Sequence, residues 1–107
     1  MKKIIDALVT FRDDRDWKQF HTPENLAKSI AIEAAELLEN FQWGESSNNQ
    51  QNIQEELADI MSYCLLLCEH YNLNPSTIIQ EKIRVNEKKY PVDVVKGKSF
   101  KYTTYKK

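Results

Sequence analysis

Four carboxylates stand in two pairs with the same spacing: Glu33 and Glu36, then Glu56 and Asp59. At ~3.6 residues per turn, side chains three apart are neighbours on one helix surface. Glu33 lies beside the apolar series Leu26, Ile30 and Leu37, not opposite it. Glu56 and Asp59 flank a similar series, Ile53, Leu57, Ile60, Met61, Cys64 and Cys68. Nineteen residues separate Glu36 from Glu56, enough to end one helix, turn and return antiparallel. The two pairs can then face each other across a helix–helix seam. Four converging carboxylates repel one another and raise their own pKa values. A hard divalent cation relieves that repulsion and prefers oxygen ligands. No histidine stands at suitable spacing, so the donor set points to Mg²⁺ or Mn²⁺ and away from zinc. Mg²⁺ commonly shares its coordination with substrate phosphates, which directs the reading toward phosphate chemistry. The competing reading is a solvated acidic face on a non-enzymatic helical interaction module.

The elements that must position these acids follow from punctuation and period. Glycine occurs only at 44 and 97, and proline only at 23, 75 and 91. A first helix is expected over Lys2 to Asp14, with Ile4, Ile5, Leu8 and Phe11 on one side. A polar connector, Arg15 to His21, carries Trp17 and Phe20. Thr22-Pro23 starts the second helix, because the hydroxyl caps free N–H groups and proline suits the first turn. That helix is expected to run through Phe41 and to end at Gly44. Residues 45–52 read as a polar loop before the third helix. Asn74-Pro75 repeats the start signal for a fourth helix bearing Ile78, Ile79 and Ile83, and Pro91 stops it. The only β-like fragment is Val92-Asp93-Val94-Val95. The pattern predicts an all-α four-helix bundle over residues 1–91. A basic tail, 92–107, is expected to be mobile or to fold over a neighbour.

Bulk properties exclude several classes. The 107 residues are 41% hydrophobic and 29% charged, ordinary for one globular domain. So short a chain buries a modest fraction of its surface, which makes a subunit interface an expectation. The net charge of −1 gives no electrostatic case for a nucleic-acid or membrane partner. No apolar run approaches a membrane span. The N-terminal apolar run breaks at Asp6 without a small-residue cleavage site, so it reads as an amphipathic helix. Cys64 and Cys68 read as small apolar residues on a core face, consistent with a reducing cytoplasm. A carboxylate-bridged di-iron or di-manganese bundle needs Glu-x-x-His elements, and the chain has none.

The acids are also part of a longer ordered pattern. Glu33-Ala34-Ala35-Glu36 followed by Glu56-Leu57-Ala58-Asp59 resembles the ExxE…ExxD signature of the MazG-type nucleotide pyrophosphohydrolases. Arg15-Asp16-Trp17-Lys18-Gln19-Phe20-His21, Pro23-Glu24-Asn25-Leu26, Phe41-Gln42-Trp43, Asp59-Ile60-Met61-Ser62-Tyr63 and the stretch from Lys82 to Pro91 are similar, in order, to the dCTP pyrophosphatase branch. The likeness runs from about Asp6 to Pro91. It implies an all-α NTP pyrophosphatase bundle, working as a homodimer or homotetramer. It also implies hydrolysis of a nucleoside triphosphate, dCTP or a modified dCTP by expectation, between the α and β phosphates. Carried over residue by residue, the metal ligands are Glu33, Glu36, Glu56 and Asp59. One carboxylate orients or deprotonates the attacking water; Glu36 is the expected one, with Glu33 beside it.

The same likeness assigns substrate contacts, each with a plainer competitor. Trp17 and Trp43 fall at the base pocket; the competitor is packing under a loop. Tyr63, four residues after Asp59, lines the sugar side or packs. His21 and Asn25 flank the start of the second helix, where capping and local hydrogen bonding compete with substrate contact. Lys82, Asn86 and Lys89 form a stripe toward the triphosphate; alone they would read as a solvated basic face. Relatives often carry arginine in place of Lys89, which keeps the charge without the bidentate fork. Some relatives also present a polar side chain from the first helix toward the base. Ala7-Leu8-Val9 offers none here, so the base preference stays open.

Overall fold

The computed structural model describes residues 1–44 and 49–98. Five helices occur among them: α1 (Lys2–Asp14), α2 (Pro23–Glu39), α3 (Gln50–His70), α4 (Pro75–Lys89) and a single turn, α5 (Val92–Val95). A 3₁₀ turn, Lys18–Phe20, interrupts the connector between α1 and α2. The chain divides into two compact units, Met1–Leu73 and Asn74–Lys107. No described helix is long and apolar enough to cross a membrane.

The start signals work as their chemistry requires. Thr22 Oγ1 accepts from the Asn25 N–H at 3.2 Å, and Pro23 occupies the first turn of α2. Asn74 Oδ1 accepts from the Thr77 N–H at 3.1 Å ahead of α4. Asn49 Oδ1 accepts from the Asn52 N–H at 3.1 Å, so α3 begins at Gln50, inside the expected loop. Asparagine is a strong cap, and Gln50 to Asn52 continue it as helix, not loop. Of that loop, residues 45–48 lie outside the described residues. At its other end, α2 stops at Glu39, before Phe41 and Gly44. The chain continues in tighter i to i+3 turns, Phe41 N–H to Leu38 O and Gly44 N–H to Phe41 O, and Gly44 takes a φ of +100°. Val92–Val95 is helical, so local valine content does not make a strand. Residues 99–107 of the expected basic tail lie outside the described residues.

Two helix ends use a left-handed residue that is not glycine. After α1, Asp16 has a φ of 54°; its N–H donates to Asp13 O, and the Trp17 N–H donates to Arg12 O. After α3, Asn72 has a φ of 56°, with Asn72 N–H to Glu69 O and Leu73 N–H to Cys68 O. Both are Schellman closures, which satisfy the last carbonyls and turn the chain back. Aspartate and asparagine tolerate this conformation better than other L-residues.

Within the first unit α3 packs along α2 and touches α1. The packing of α2 and α3 is antiparallel, since late α2 residues Glu36 and Glu39 share a cavity with early α3 residues Asn52 and Glu56. Leu26, Leu65 and Leu66 are the buried hydrophobics among the described residues. Part of the expected apolar series stays open: Phe41, Leu57 and Met61 are exposed, as are Ile32 and Leu38 outside it. Cys64 is exposed and Cys68 half-buried, in place of the core positions expected for both, and both thiols are free.

Candidate functional site

The antiparallel pairing of α2 and α3 brings the acids together. One ligand oxygen from each of Glu33, Glu56 and Asp59 lies within 4.8 Å of the others. Glu33 Oε2 and Glu56 Oε2 are fully occluded and accept no hydrogen bond. Carboxylate oxygens are acceptors only, so such an arrangement needs a shared proton or a cation. In the metal-free chain the proton wins: Glu33 is raised from an ordinary 4.5 to about 7. The first cause is the facing Glu56 carboxylate, which accepts from Glu33 only once Glu33 carries the proton; partial burial and the neighbouring Glu36 add to it. Glu36 stands outside the tight trio. It helps hold the Glu33 proton and, with Glu39, Asn40, Trp43, Asn52 and Glu56, lines a cavity of about 410 Å³.

A second cavity, about 280 Å³, has Asp59 in its wall. Its walls include Trp17, His21, Ser62 and Tyr63, with Leu8, Phe11, Arg12 and Leu66. The Schellman turn at Asp16 places Trp17. The indole meets the Phe11 ring edge-on, 5.8 Å between centroids, as the apolar contact that accompanies such a turn. His21 meets Tyr63 edge-on at 6.4 Å. His21 Nδ1 is occluded and unpartnered. Burial, then the nearby Arg12 charge, pulls the imidazole below its usual value, so it is neutral at pH 7. Burial and the adjacent acids, Glu33 first, push the Tyr63 phenol up, so it stays protonated.

The expected residues divide clearly. Trp17, His21 and Tyr63 share the aromatic cavity with Asp59. Trp43 lies on the other cavity, beside Glu36, with 80% of its surface exposed. The structure therefore puts the two tryptophans on different cavities of this chain. Asn25 is occupied locally: its N–H caps onto Thr22, and its Nδ2 donates to Phe20 O at 3.0 Å. Lys82, Asn86 and Lys89 share one face of α4, in the second unit; Lys82 is exposed, and Asn86 and Lys89 are half-buried.

Arg12 is the residue that sequence reasoning missed. It is 5% exposed, buried on the apolar side of α1. Its Nε donates to Asp13 at 2.9 Å and its Nη1 to Glu69 at 3.3 Å, which ties α1 to α3. A signal existed: Arg12 follows Ile5 and Leu8 at helical spacing, so it falls on the stripe that packs inward. Its partner Glu69, fifty-seven positions on, carried none.

An all-helical chain with an oxygen-only donor cluster between two clefts, one of them aromatic, is the class that fold and site define. Residues 28–104 match the MazG-like family, and the chain belongs to that family. It is 33% identical over 102 residues to a human protein, dCTP pyrophosphatase 1, and 34% identical over 102 residues to the dCTP pyrophosphatase 1 of Bos taurus. Those alignments cover 87% of this chain and 60% of each relative, so the chain spans about 60% of the length of the curated relatives it matches. Among solved structures, a pyrophosphatase from Archaeoglobus fulgidus superposes with a TM-score of 0.81 at 43% identity. That match covers 85% of this chain and 92% of the other.

Proposed function

We propose that this chain is a Mg²⁺-dependent nucleoside triphosphate pyrophosphohydrolase. It cleaves a (d)NTP, dCTP or a modified dCTP foremost, between the α and β phosphates to give a monophosphate and pyrophosphate. The observation that carries the reading is the carboxylate trio set against an aromatic cavity, with Asp59 common to both. Relatives called dCTP pyrophosphatase and a structural neighbour called a pyrophosphatase support it.

The donor set fits a hard cation. Among the described residues, two occluded oxygens, Glu33 Oε2 and Glu56 Oε2, have no donor to satisfy them, and no His or Cys joins the group. Glu33, Glu56 and Asp59 would hold Mg²⁺ (Mn²⁺ has the same oxygen preference), with Glu36 completing the set. When bound, the ion offsets phosphate charge and lowers the pKa of a coordinated water. The chain's own residues do the rest. Glu36, at the edge of the open cleft, is assigned to orient the water and accept its proton, with Glu33 beside it. Trp17, His21 and Tyr63 are assigned to hold the base and sugar in the aromatic cavity, and Trp43 to the other cleft, beside Glu36. Lys82, Asn86 and Lys89 are assigned to the phosphates as point charges and a donor. Asn25 is assigned to shaping the loop under His21.

A homodimeric or homotetrameric bundle completes this proposal. The few buried hydrophobics and the exposed Ile32, Leu38, Leu57 and Met61 support it, because so much open apolar surface calls for a partner face. A cytoplasmic setting accords with the two free cysteines. The test is a panel of canonical and modified NTPs and dNTPs with Mg²⁺, scored for pyrophosphate and monophosphate. Release of orthophosphate would refute the reaction class. Full activity in Glu36→Gln and Asp59→Asn would refute the site.

A further inference from the structure

The aromatic cavity holds a charged side chain that the cluster does not need. Arg12 lines it, yet its side chain is only 6% exposed. Two of its five N–H groups are spent, Nε on Asp13 and one Nη1 hydrogen on Glu69. Nη2 makes no hydrogen bond among the described residues. Nη2 is not fully occluded, so solvent reaches it.

Charge says what those remaining donors suit. Two carboxylates, Asp13 and Glu69, already balance the guanidinium, and Asp59 shares the cavity. The net local charge is negative, which disfavours a phosphate. A neutral ligand with hydrogen-bond acceptors has no such penalty. The walls around Arg12, with Trp17, Phe11 and Tyr63, suit a flat aromatic ligand.

Resting on the pyrophosphohydrolase reading above, we propose that Arg12 is a specificity-determining residue, whose free Nη1–H and Nη2–H read a base edge with two adjacent acceptors. Among pyrimidines that edge belongs to cytosine, through O2 and N3. Uracil and thymine present an N3–H donor there, which opposes an arginine donor. Sequence reading sought the base contact at Ala7-Leu8-Val9; the structure supplies a polar group one helical turn further along α1.

The experiment compares kcat/KM for dCTP with that for dTTP in the full chain with Mg²⁺, for wild type, Arg12→Lys, Arg12→Met and Glu69→Gln. A good bidentate base contact discriminates by about tenfold or more. Arg12→Lys and Arg12→Met are expected to lower the dCTP-to-dTTP ratio of kcat/KM by about tenfold, mostly through KM for dCTP. Glu69→Gln weakens the α1–α3 tie but keeps the donors, so its ratio is expected to match wild type. A uniform fall on both substrates, with the ratio kept, makes Arg12 a structural clamp only and overturns the proposal. If Arg12→Met fails to fold, Arg12→Lys, which keeps the charge, decides alone. If wild type releases no pyrophosphate from any nucleotide, the parent reading fails. Thermal shifts by dCMP against dTMP then still test Arg12: a preference for dCMP lost in Arg12→Lys supports the base contact, and equal shifts overturn it.

Discussion

Replacing Glu33 by glutamine should stabilise the metal-free chain above neutral pH while removing its response to Mg²⁺. Glu33 is raised from 4.5 to about 7 because Glu56 and Glu36 face it in partial burial. A folded state that raises a carboxylate's pKa binds more protons than the unfolded chain. Below about pH 4.5 the acid is protonated in both states and costs nothing. As pH rises from there to about 7 the folded state loses stability, and above 7 the full penalty remains. At about 1.4 kcal/mol per pKa unit, the ceiling is about 3 kcal/mol. Glu33 is only half-buried, so solvent screening cuts this to roughly 1–2 kcal/mol. Glutamine removes the charge and supplies an N–H donor for Glu56. The assay is urea unfolding with EDTA at pH 5 and pH 8, for wild type and Glu33→Gln. The variant should gain about 1–2 kcal/mol at pH 8, on the order of 5–10 °C in Tm, and little at pH 5. Added Mg²⁺ should raise the wild-type Tm at pH 8 and barely move the variant. Equal stabilities at pH 8, or a larger gain at pH 5, would refute the idea that repulsion within the cluster sets the pKa.

Three further outcomes are expected. Asp59→Asn and Glu56→Gln should each abolish most of the Mg²⁺-dependent rise in Tm while leaving the helical circular dichroism intact, which melts with and without the ion will show. Trp17→Ala should raise KM for the nucleotide about tenfold with a smaller effect on kcat, since a stacked base is worth about 1–3 kcal/mol; steady-state pyrophosphate release reads the split. Leu26→Ala should cost about 2–5 kcal/mol by urea unfolding, because Leu26 is 2% exposed and one of three buried hydrophobics among the described residues.

Much of this protein was determined by local chemistry and was legible in the chain. Thr22-Pro23 and Asn74-Pro75 start helices because a side-chain oxygen satisfies a free N–H and proline needs none. The paired i, i+3 acids sit beside apolar stripes because helical period places them there. The order of these motifs along the chain carried the family. Local chemistry also misled where a stronger neighbour prevailed: Asn49 capped α3 inside an expected loop.

What only the tertiary structure decided are the meetings between distant residues. Spacing made four acids equivalent, but antiparallel packing of α2 and α3 drew Glu33, Glu56 and Asp59 into one trio and left Glu36 at its edge. It sent Trp17 and Trp43 to separate cavities. It buried Arg12 against Glu69, a pairing no period encodes. Helical periodicity fixes which face a residue occupies on its own helix. The rotation and offset of a second helix depend on how whole faces interdigitate, and that is a property of both surfaces together.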